Sequence, residues 1–380
     1  MSSIHIVGAG PAGLMAAETY ADKGYNVNVY DHKKSAGRKF LVAGHGGFNL
    51  TFDAPLDLFV TQYDAPQIQD AVRYFTPNDT RNWLSSIGIE TFVGSSGKVF
   101  PVKGIKPIDV LQNWLTRLKD RGVVFHYSHR LIDFTDKELV FEVQGETRSV
   151  AVEKSVFAFG GKSWSKTGSD GKWEEMFGDK GIAIDTLTPS NSGFELEQPF
   201  FDLVGKPLKN CMLFNDEMSK KGEIVFTEYG IEGAPVYYLN RAVRKNEMPQ
   251  QVYLDLKPAL SLIEIENQLK SGKPTQVLKE LKLTGPHLTL LKTLDKPTYT
   301  DFQKLSRKIK AFPLTITGFR PIDEVISTCG GVAWDELNED FSLIKYPHIQ
   351  CCGEMLNWDA PTGGYLLQAC FSSGAWVGKC

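Results

Sequence analysis

Residues 4–31, "IHIVGAGPAGLMAAETYADKGYNVNVYD", constrain this chain more than any other segment. An apolar strand runs into Gly8-Ala9-Gly10-Pro11-Ala12-Gly13. An alanine-rich helix follows, and then an alternating strand that ends in Asp31. A bare GxGxxG is a weak signal. Here it has a strand before it, a helix after it, and an acid 18 residues past the third glycine, which is the arrangement of a dinucleotide-binding βαβ unit. Gly8 permits the tight turn, Gly10 lets backbone approach a pyrophosphate, and Gly13 lets the helix lie close to the sheet. The helix opens at Pro11 and Ala12, where unpaired N–H groups and the positive dipole end attract an anion. Asp31 is expected to accept a hydrogen bond from a ribose hydroxyl. Beyond it, "HKKSAGRKF" places Gly37-Arg38-Lys39, and Arg38 offers a fork of donors to phosphate or adenine-side groups.

Composition narrows the class. The 380 residues, 42% hydrophobic and 23% charged, suit a globular protein with a sizeable core. No apolar run approaches the roughly 18 residues that span a bilayer. A strand-like segment at Ile4 leaves no signal-peptide pattern, so a cytoplasmic location is expected. The six cysteines show no CxxC spacing, which argues against a redox pair of thioredoxin type and against a structural zinc site. No metal is expected. A net charge of −3 gives no global sign of nucleic-acid binding.

Further along, Ile108–Arg121 reads as a helix with Val110, Leu111, Trp114, Leu115 and Leu118 on one face. The apolar run ending in Gly160-Gly161 reads as another strand of the parallel sheet, stopping where ligands bind at its carboxyl edge. Ser163, Ser165 and Thr167 follow in a polar loop. Short strands over 190–257 suggest a β-rich insert, and 258–310 change to helices punctuated by Gly and Pro. Counted from Lys257 to Lys310, this stretch holds 11 Lys or Arg against 5 Asp or Glu. A solvated surface is the plain reading of that excess, and a site for an anionic partner is the sharper one. Near the end, Gly353-Glu354 and Asp359 precede Gly363-Gly364, which opens a helix at Tyr365 and forms a second anion-friendly turn. FAD, extended across a sheet, needs such an element at each end of the chain.

The segments "GAGPAGLMAAE", "GRKFLVAGHGGFNLT", "GKVFPV", "FAFGGKSWSKTGSDG", "FTEYGIEGAPVY", "STCGGVAWDEL" and "GEMLNWDAPTGGYLLQACFSSG" together resemble the HI0933-like family of flavoproteins, in particular its short-loop branch. The resemblance covers nearly the whole chain. It implies an α/β fold with a Rossmann-like FAD-binding domain of the two-dinucleotide-binding-domain flavoprotein type. That domain is split over 1–190 and 320–380. It is interrupted by a β-barrel-like insert (191–257 plus 311–319) and a helical insert (258–310). Implied FAD contacts are Gly8, Gly10, Pro11, Ala12, Gly13, Asp31, Arg38, Gly160, Gly353, Glu354, Gly363 and Gly364. Gly37, Lys39, Gly46, Gly47, Asn49, Gly161, Asp359 and Tyr365 complete the candidate cofactor-binding set. Two departures stand out. Asp31 occupies a place where flavoproteins more often carry Glu, and "GHGGFN" replaces the "GGGRCN" of many family members.

The expected activity is that of an FAD-dependent oxidoreductase passing hydride through flavin N5. No second strand–GxGxxG–helix unit supplies a nicotinamide domain, so NAD(P)H is expected only as a diffusible reductant at the flavin face, beside a small-molecule substrate. Two alternatives stand beside this. One is a flavin-dependent reductase of an RNA base docking through the basic helices, and the other is a non-catalytic flavin sensor. His45, among the glycines of "AGHGG", is the candidate proton-handling residue, since imidazole titrates near neutrality. Tyr229, Glu228 and Ser163 are weaker candidates, and His287 reads as ordinary surface.

Overall fold

The computed structural model describes residues 2–42 and 48–379. The chain divides into two compact units, Met1–Thr188 with Ser327–Cys380, and Pro189–Ile326. The first is built on a five-stranded sheet. Strand β1 (Ser3–Val7) sits at its centre and β2 (Asn26–Asp31) beside it. In order, the strands are Ile349–Cys351, Lys154–Phe157, β1, β2 and Val124–Tyr127, and every pairing is parallel. Ile4, Ile6, Val7, Val156 and Phe157 are buried, as expected of strands covered on both faces. Register places Val7 opposite both Tyr30 and Phe157, Phe157 opposite Cys351, and Asp31 opposite Tyr127. The carboxyl ends of all five strands therefore finish at one edge, where open α/β sheets bind ligands.

Helix α1 (Pro11–Asp22) is hydrophobic nearly all round and buried. The helix Tyr365–Val377 packs against it with small residues at the crossing. A Cβ at Gly374 would stand 2.3 Å from the Ala12 carbonyl oxygen, and one at Gly378 would stand 2.6 Å from the Thr19 methyl. Tyr20 ties α1 to the last helix, its hydroxyl lying 2.6 Å from Gln350 Oε1 and 2.7 Å from the Val377 carbonyl, either of which can accept its one proton. On the other flank, buried Glu18 accepts from Arg117 Nε at 2.5 Å, Arg121 at 2.7 Å and Trp114 Nε1 at 3.2 Å. These contacts fix helix Pro107–Asp120 to α1. Burial pushes the Glu18 carboxyl above its usual range, against the pull of the two guanidiniums.

The second unit holds a closed six-stranded barrel in the order Phe194–Leu196, Gly230–Glu232, Ser219–Phe226, Pro207–Phe214, Gln250–Asp255 and Phe312–Phe319. Its inward residues, among them Phe194, Ile224, Phe226, Val252 and Ile316, share one core with Ile265, Leu269, Leu278, Leu290, Leu305 and Ile309 of the following helices. Barrel and helices are thus one packed body. Arg320 closes one side of it. Its guanidinium lies 3.9 Å from the Tyr229 ring centre and pairs with Glu195 at 2.7 Å and with Glu324. Among the described residues, no helix is long and apolar enough to cross a membrane.

Candidate cofactor site

The carboxyl edge of the first unit's sheet encloses a cavity of about 700 Å³, within the range of small-molecule sites. One wall is the turn between β1 and α1. Gly8 takes φ +111°, and a Cβ there would strike the Ala158 carbonyl at 2.2 Å. The turn therefore needs glycine both for its torsion and for its contact with the next strand. Gly10 is the N-cap of α1, and no side chain caps the helix. A Cβ on Gly10 would meet nothing within 4 Å, and Gly10, Pro11 and Ala12 all line the cavity. Such an end favours an anion.

Asp31 ends β2 on the cavity wall, and both its oxygens are engaged. Ala9 N–H donates to Oδ2 at 2.8 Å and Lys33 N–H to Oδ1 at 2.7 Å. The carboxylate so ties the glycine turn to the end of β2. Gly37 N–H donates to the Ala9 carbonyl at 2.8 Å, bringing α2 (Arg38–Val42) to the same place. Arg38 is exposed at the rim and pairs with no carboxylate among the described residues. Lys39 points the other way. Its ammonium donates to Ser163 Oγ and to Glu354 Oε2, both at 2.8 Å. Glu354 Oε1 in turn accepts the Thr328 N–H at 3.0 Å. Gly161 makes room for this knot, since a Cβ there would stand 2.0 Å from Thr328 Oγ1. Gly353, at φ +84°, donates its N–H to Ser373 Oγ at 3.0 Å and lies against Ala12.

The structure thus gathers Gly8, Gly10, Pro11, Ala12, Asp31, Gly37, Arg38, Lys39, Gly160, Gly353 and Glu354 around one cavity. Gly13, Asn49, Gly161, Asp359, Gly363, Gly364 and Tyr365 are not among its lining residues. Gly13 packs against the Gly8 carbonyl, and Gly364 against the Thr51 backbone. The Tyr365 ring lies 4.7 Å from that of Phe59 and 5.4 Å from that of Phe52, and its carbonyl accepts the Tyr63 hydroxyl. The Asp359 N–H donates to Asp64 Oδ1 at 2.7 Å. His45, Gly46 and Gly47 lie outside the described residues.

Other lining residues went unread in the sequence: His32, His129, Arg130, Ser169, Asp170, Trp173 and Lys180. Arg130 pairs with Asp170 at 3.5 Å, and Trp173 Nε1 donates to the Gly160 carbonyl at 3.0 Å. "GSDG" belongs to a segment that carries the family resemblance, but its sequence does not say what it faces. Only the fold sets it beside β2. Cys352 and Cys370 also line the cavity. Burial pushes Cys370 up to about 12 and Cys352 well above the usual thiol range, so neither is a thiolate near neutrality. Among the described residues, no group of three or more His, Cys, Asp or Glu is arranged to hold a metal ion.

The donor set fits a dinucleotide. It offers glycine backbone and a helix N-terminus for the phosphates and, at the rim, Arg38, which has no carboxylate partner among the described residues. The family description "HI0933-like protein Rossmann domain" matches residues 2–380. The chain belongs to the HI0933-like family. Its curated relatives include a 3-dehydro-bile acid delta(4,6)-reductase of Clostridium scindens, 24% identical over 100% of this chain and 98% of the relative. A ribosomal RNA dihydrouridine synthase of Escherichia coli is 25% identical over 98% of this chain and 96% of the relative. Among solved structures, the 3-ketosteroid-delta4-(5alpha)-dehydrogenase of Rhodococcus jostii aligns with a TM-score of 0.53 at 13% identity, covering 100% of this chain and 95% of its own. A flavocytochrome c3 fumarate reductase aligns at 0.51 and 15% identity, covering 99% and 78%. At such identities the structural likeness speaks for the fold alone. This HI0933-like chain has a Rossmann-domain flavoprotein fold with an inserted closed barrel.

Proposed function

We propose that this protein is an FAD-dependent oxidoreductase acting on a small-molecule substrate, with NAD(P)H as a diffusible reductant. The observation that carries the reading is the cavity at the carboxyl edge, in which the uncapped end of α1, Arg38, Gly160 and Gly353-Glu354 converge. FAD, when bound, supplies hydride transfer through N5. The chain's own groups bind and orient it. The α1 turn holds the pyrophosphate by backbone N–H groups, Arg38 adds charge at the rim, and the Lys39–Ser163–Glu354 knot fixes the wall beside Gly353. His45 is the proposed proton-handling residue. The 3-dehydro-bile acid delta(4,6)-reductase among its relatives supports the reductive direction. The test is to purify the protein, release its chromophore by heat, identify it by mass, and follow anaerobic bleaching with NADH and NADPH. A protein that carries no FAD and takes none up on titration overturns the reading.

A second reading, reduction of a base in RNA, has its own support. Lys304, Arg307 and Lys308 lie on one face of the helix Phe302–Lys310, away from buried Leu305 and Ile309. None of the three is ion-paired among the described residues, and one curated relative is a ribosomal RNA dihydrouridine synthase. Ribosomal RNA binding that weakens steeply with salt, and less steeply after neutralising these three residues, is the expected outcome. No binding at low salt removes this reading.

A further inference from the structure

Among the described residues, seven that are not glycine hold a positive φ, and two of these are large aromatics, Trp164 and Phe341. That region sets Cβ against the following carbonyl oxygen, and bulky side chains seldom occupy it. Phe341 is 1% exposed, with its ring centre 5.3 Å from that of Trp334 and 5.7 Å from that of Trp376, so core packing offsets its strain. Trp164, at φ +62° and ψ +50°, is 40% exposed. Burial returns far less there. The backbone around Trp164 is pinned. Lys162 N–H donates to Thr328 Oγ1 at 3.3 Å, and the buried Ser163 hydroxyl accepts from Lys39 Nζ at 2.8 Å. The Trp164 carbonyl accepts both the N–H and the hydroxyl of Thr167, at 2.8 Å and 2.7 Å. Neighbours on both sides over-determine the conformation, as they do where strain serves a site. The place matters as much. Lys39 and Glu354 line the cofactor cavity, and Trp164 follows the serine that Lys39 holds. The indole therefore stands at the carboxyl edge, beside the cavity and outside its lining.

We infer that Trp164 is a stacking platform for the substrate, and that the substrate is a flat ring compound with a carbonyl group in conjugation. The inference rests on the flavin oxidoreductase reading above. An indole is a large, rigid surface set by two side-chain torsions, so little freedom is lost when a ring lies on it. Its face is electron-rich. A ring drained by a conjugated carbonyl is attracted to that face more than a saturated ring of the same size. The backbone strain then has a use, because another torsion at residue 164 would turn the indole in another direction. A ring laid flat on the platform keeps one face and one orientation, which is what an ordered reaction needs. The role is to hold the substrate, and no bond is made or broken at Trp164.

The test uses full-length protein as purified, with its flavin content measured first. The probe is coumarin, a flat conjugated lactone, and octahydrocoumarin is its saturated control. Titrations followed by proton NMR read affinity and ring-current shift together. The wild type is expected to bind coumarin about five- to tenfold more tightly than the control, and to move the coumarin ring protons upfield. Asparagine accepts the left-handed region, so Trp164→Asn is expected to melt no lower than the wild type. The same variant should bind coumarin about five- to tenfold more weakly and lose most of the upfield shift. Trp164→Phe should keep most of the affinity with a smaller shift. A Trp164→Asn protein that binds coumarin like the wild type overturns the inference and leaves the flavin reading standing. So does a wild type that does not prefer coumarin to its control. A variant with lower Tm and weaker binding but an unchanged shift also overturns it, since the effect is then structural. A protein without FAD that shows the preference, and loses it in Trp164→Asn, overturns the flavin reading and keeps the platform. If Trp164→Asn fails to fold, the shift in Trp164→Phe decides, and a shift equal to that of the wild type overturns the inference.

Discussion

Replacing Gly374 by alanine sets two effects of opposite sign against each other. Gly374 lies inside the helix Tyr365–Val377, and glycine in a helix interior costs about 0.5–1 kcal/mol relative to alanine. On propensity alone the substitution stabilises. The new Cβ, however, would stand 2.3 Å from the Ala12 carbonyl oxygen and 3.0 Å from Met15 Cβ. Backbone cannot step aside as a flexible side chain can, so relief requires the two helices to part by about 1 Å. Overpacking of a tight core costs about 1–3 kcal/mol. The clash wins, and a net loss of about 1–2 kcal/mol is expected. For a unit of this size, that lowers Tm by about 2–8 °C. The damage has a direction too. Ala12 lines the cavity one residue from the α1 N-terminus, so FAD affinity should fall with stability, by about tenfold. Differential scanning calorimetry and flavin-fluorescence titration measure the two quantities. A Gly374→Ala protein that melts at or above the wild-type temperature and binds FAD unchanged would refute the reasoning, because the helices would then be free to separate.

Other consequences can be checked directly. Lys39→Met leaves the Glu354 carboxylate, 15% exposed, with the Thr328 N–H as its remaining donor among the described residues. Chemical unfolding should show a loss of about 1–3 kcal/mol, largely recovered in the Lys39→Met/Glu354→Gln pair. Burial holds His5 and His126 below the usual imidazole range, with His126 adding to the effect at His5 and His129 adding to it at His126. The folded protein therefore keeps them neutral while the unfolded chain takes up protons. Stability is full above about pH 6.5 and declines as pH falls below it. Melting curves between about pH 7 and pH 5 should show that decline, flattened in His126→Phe. For His45→Ala, retained FAD with lost steady-state turnover is expected, and unchanged turnover would remove His45 from the chemistry.

Local segments with strong constraints were legible in the sequence. The Gly8–Gly13 turn, the acid at 31 and the strand ending at Gly160 each carry their meaning within about thirty residues, and all of them reach the cavity wall. Several barrel strands between 190 and 257 could be read for the same reason, as short apolar alternations between turns, whereas Phe312–Phe319 came only with the family resemblance. What escaped notice depends on distant partners. Nothing local tells that Lys39 faces Glu354, that Tyr20 reaches Gln350 and Val377, or that Ser169 comes to lie beside His32. Gly363-Gly364 carries two readings at once. A glycine pair before a helix reads as an anion nest, yet Gly364 is also required by the Thr51 backbone, 2.5 Å from where its Cβ would be. Close packing and ligand approach leave the same mark in a sequence.

The sheet pairing also sets a timetable for synthesis. Strand Lys154–Phe157 is interior only because Ile349–Cys351 pairs along its outer edge. A ribosome making about 5–20 residues per second needs about 10–40 s to pass from one strand to the other. Throughout that interval a short, apolar strand edge has no native neighbour, and unpaired edges recruit other chains. The Tyr365–Val377 helix that packs against α1 arrives later still. The Gly353-Glu354 wall of the cavity therefore forms only after that wait, and until then the open flank of Lys154–Phe157 is the edge to protect.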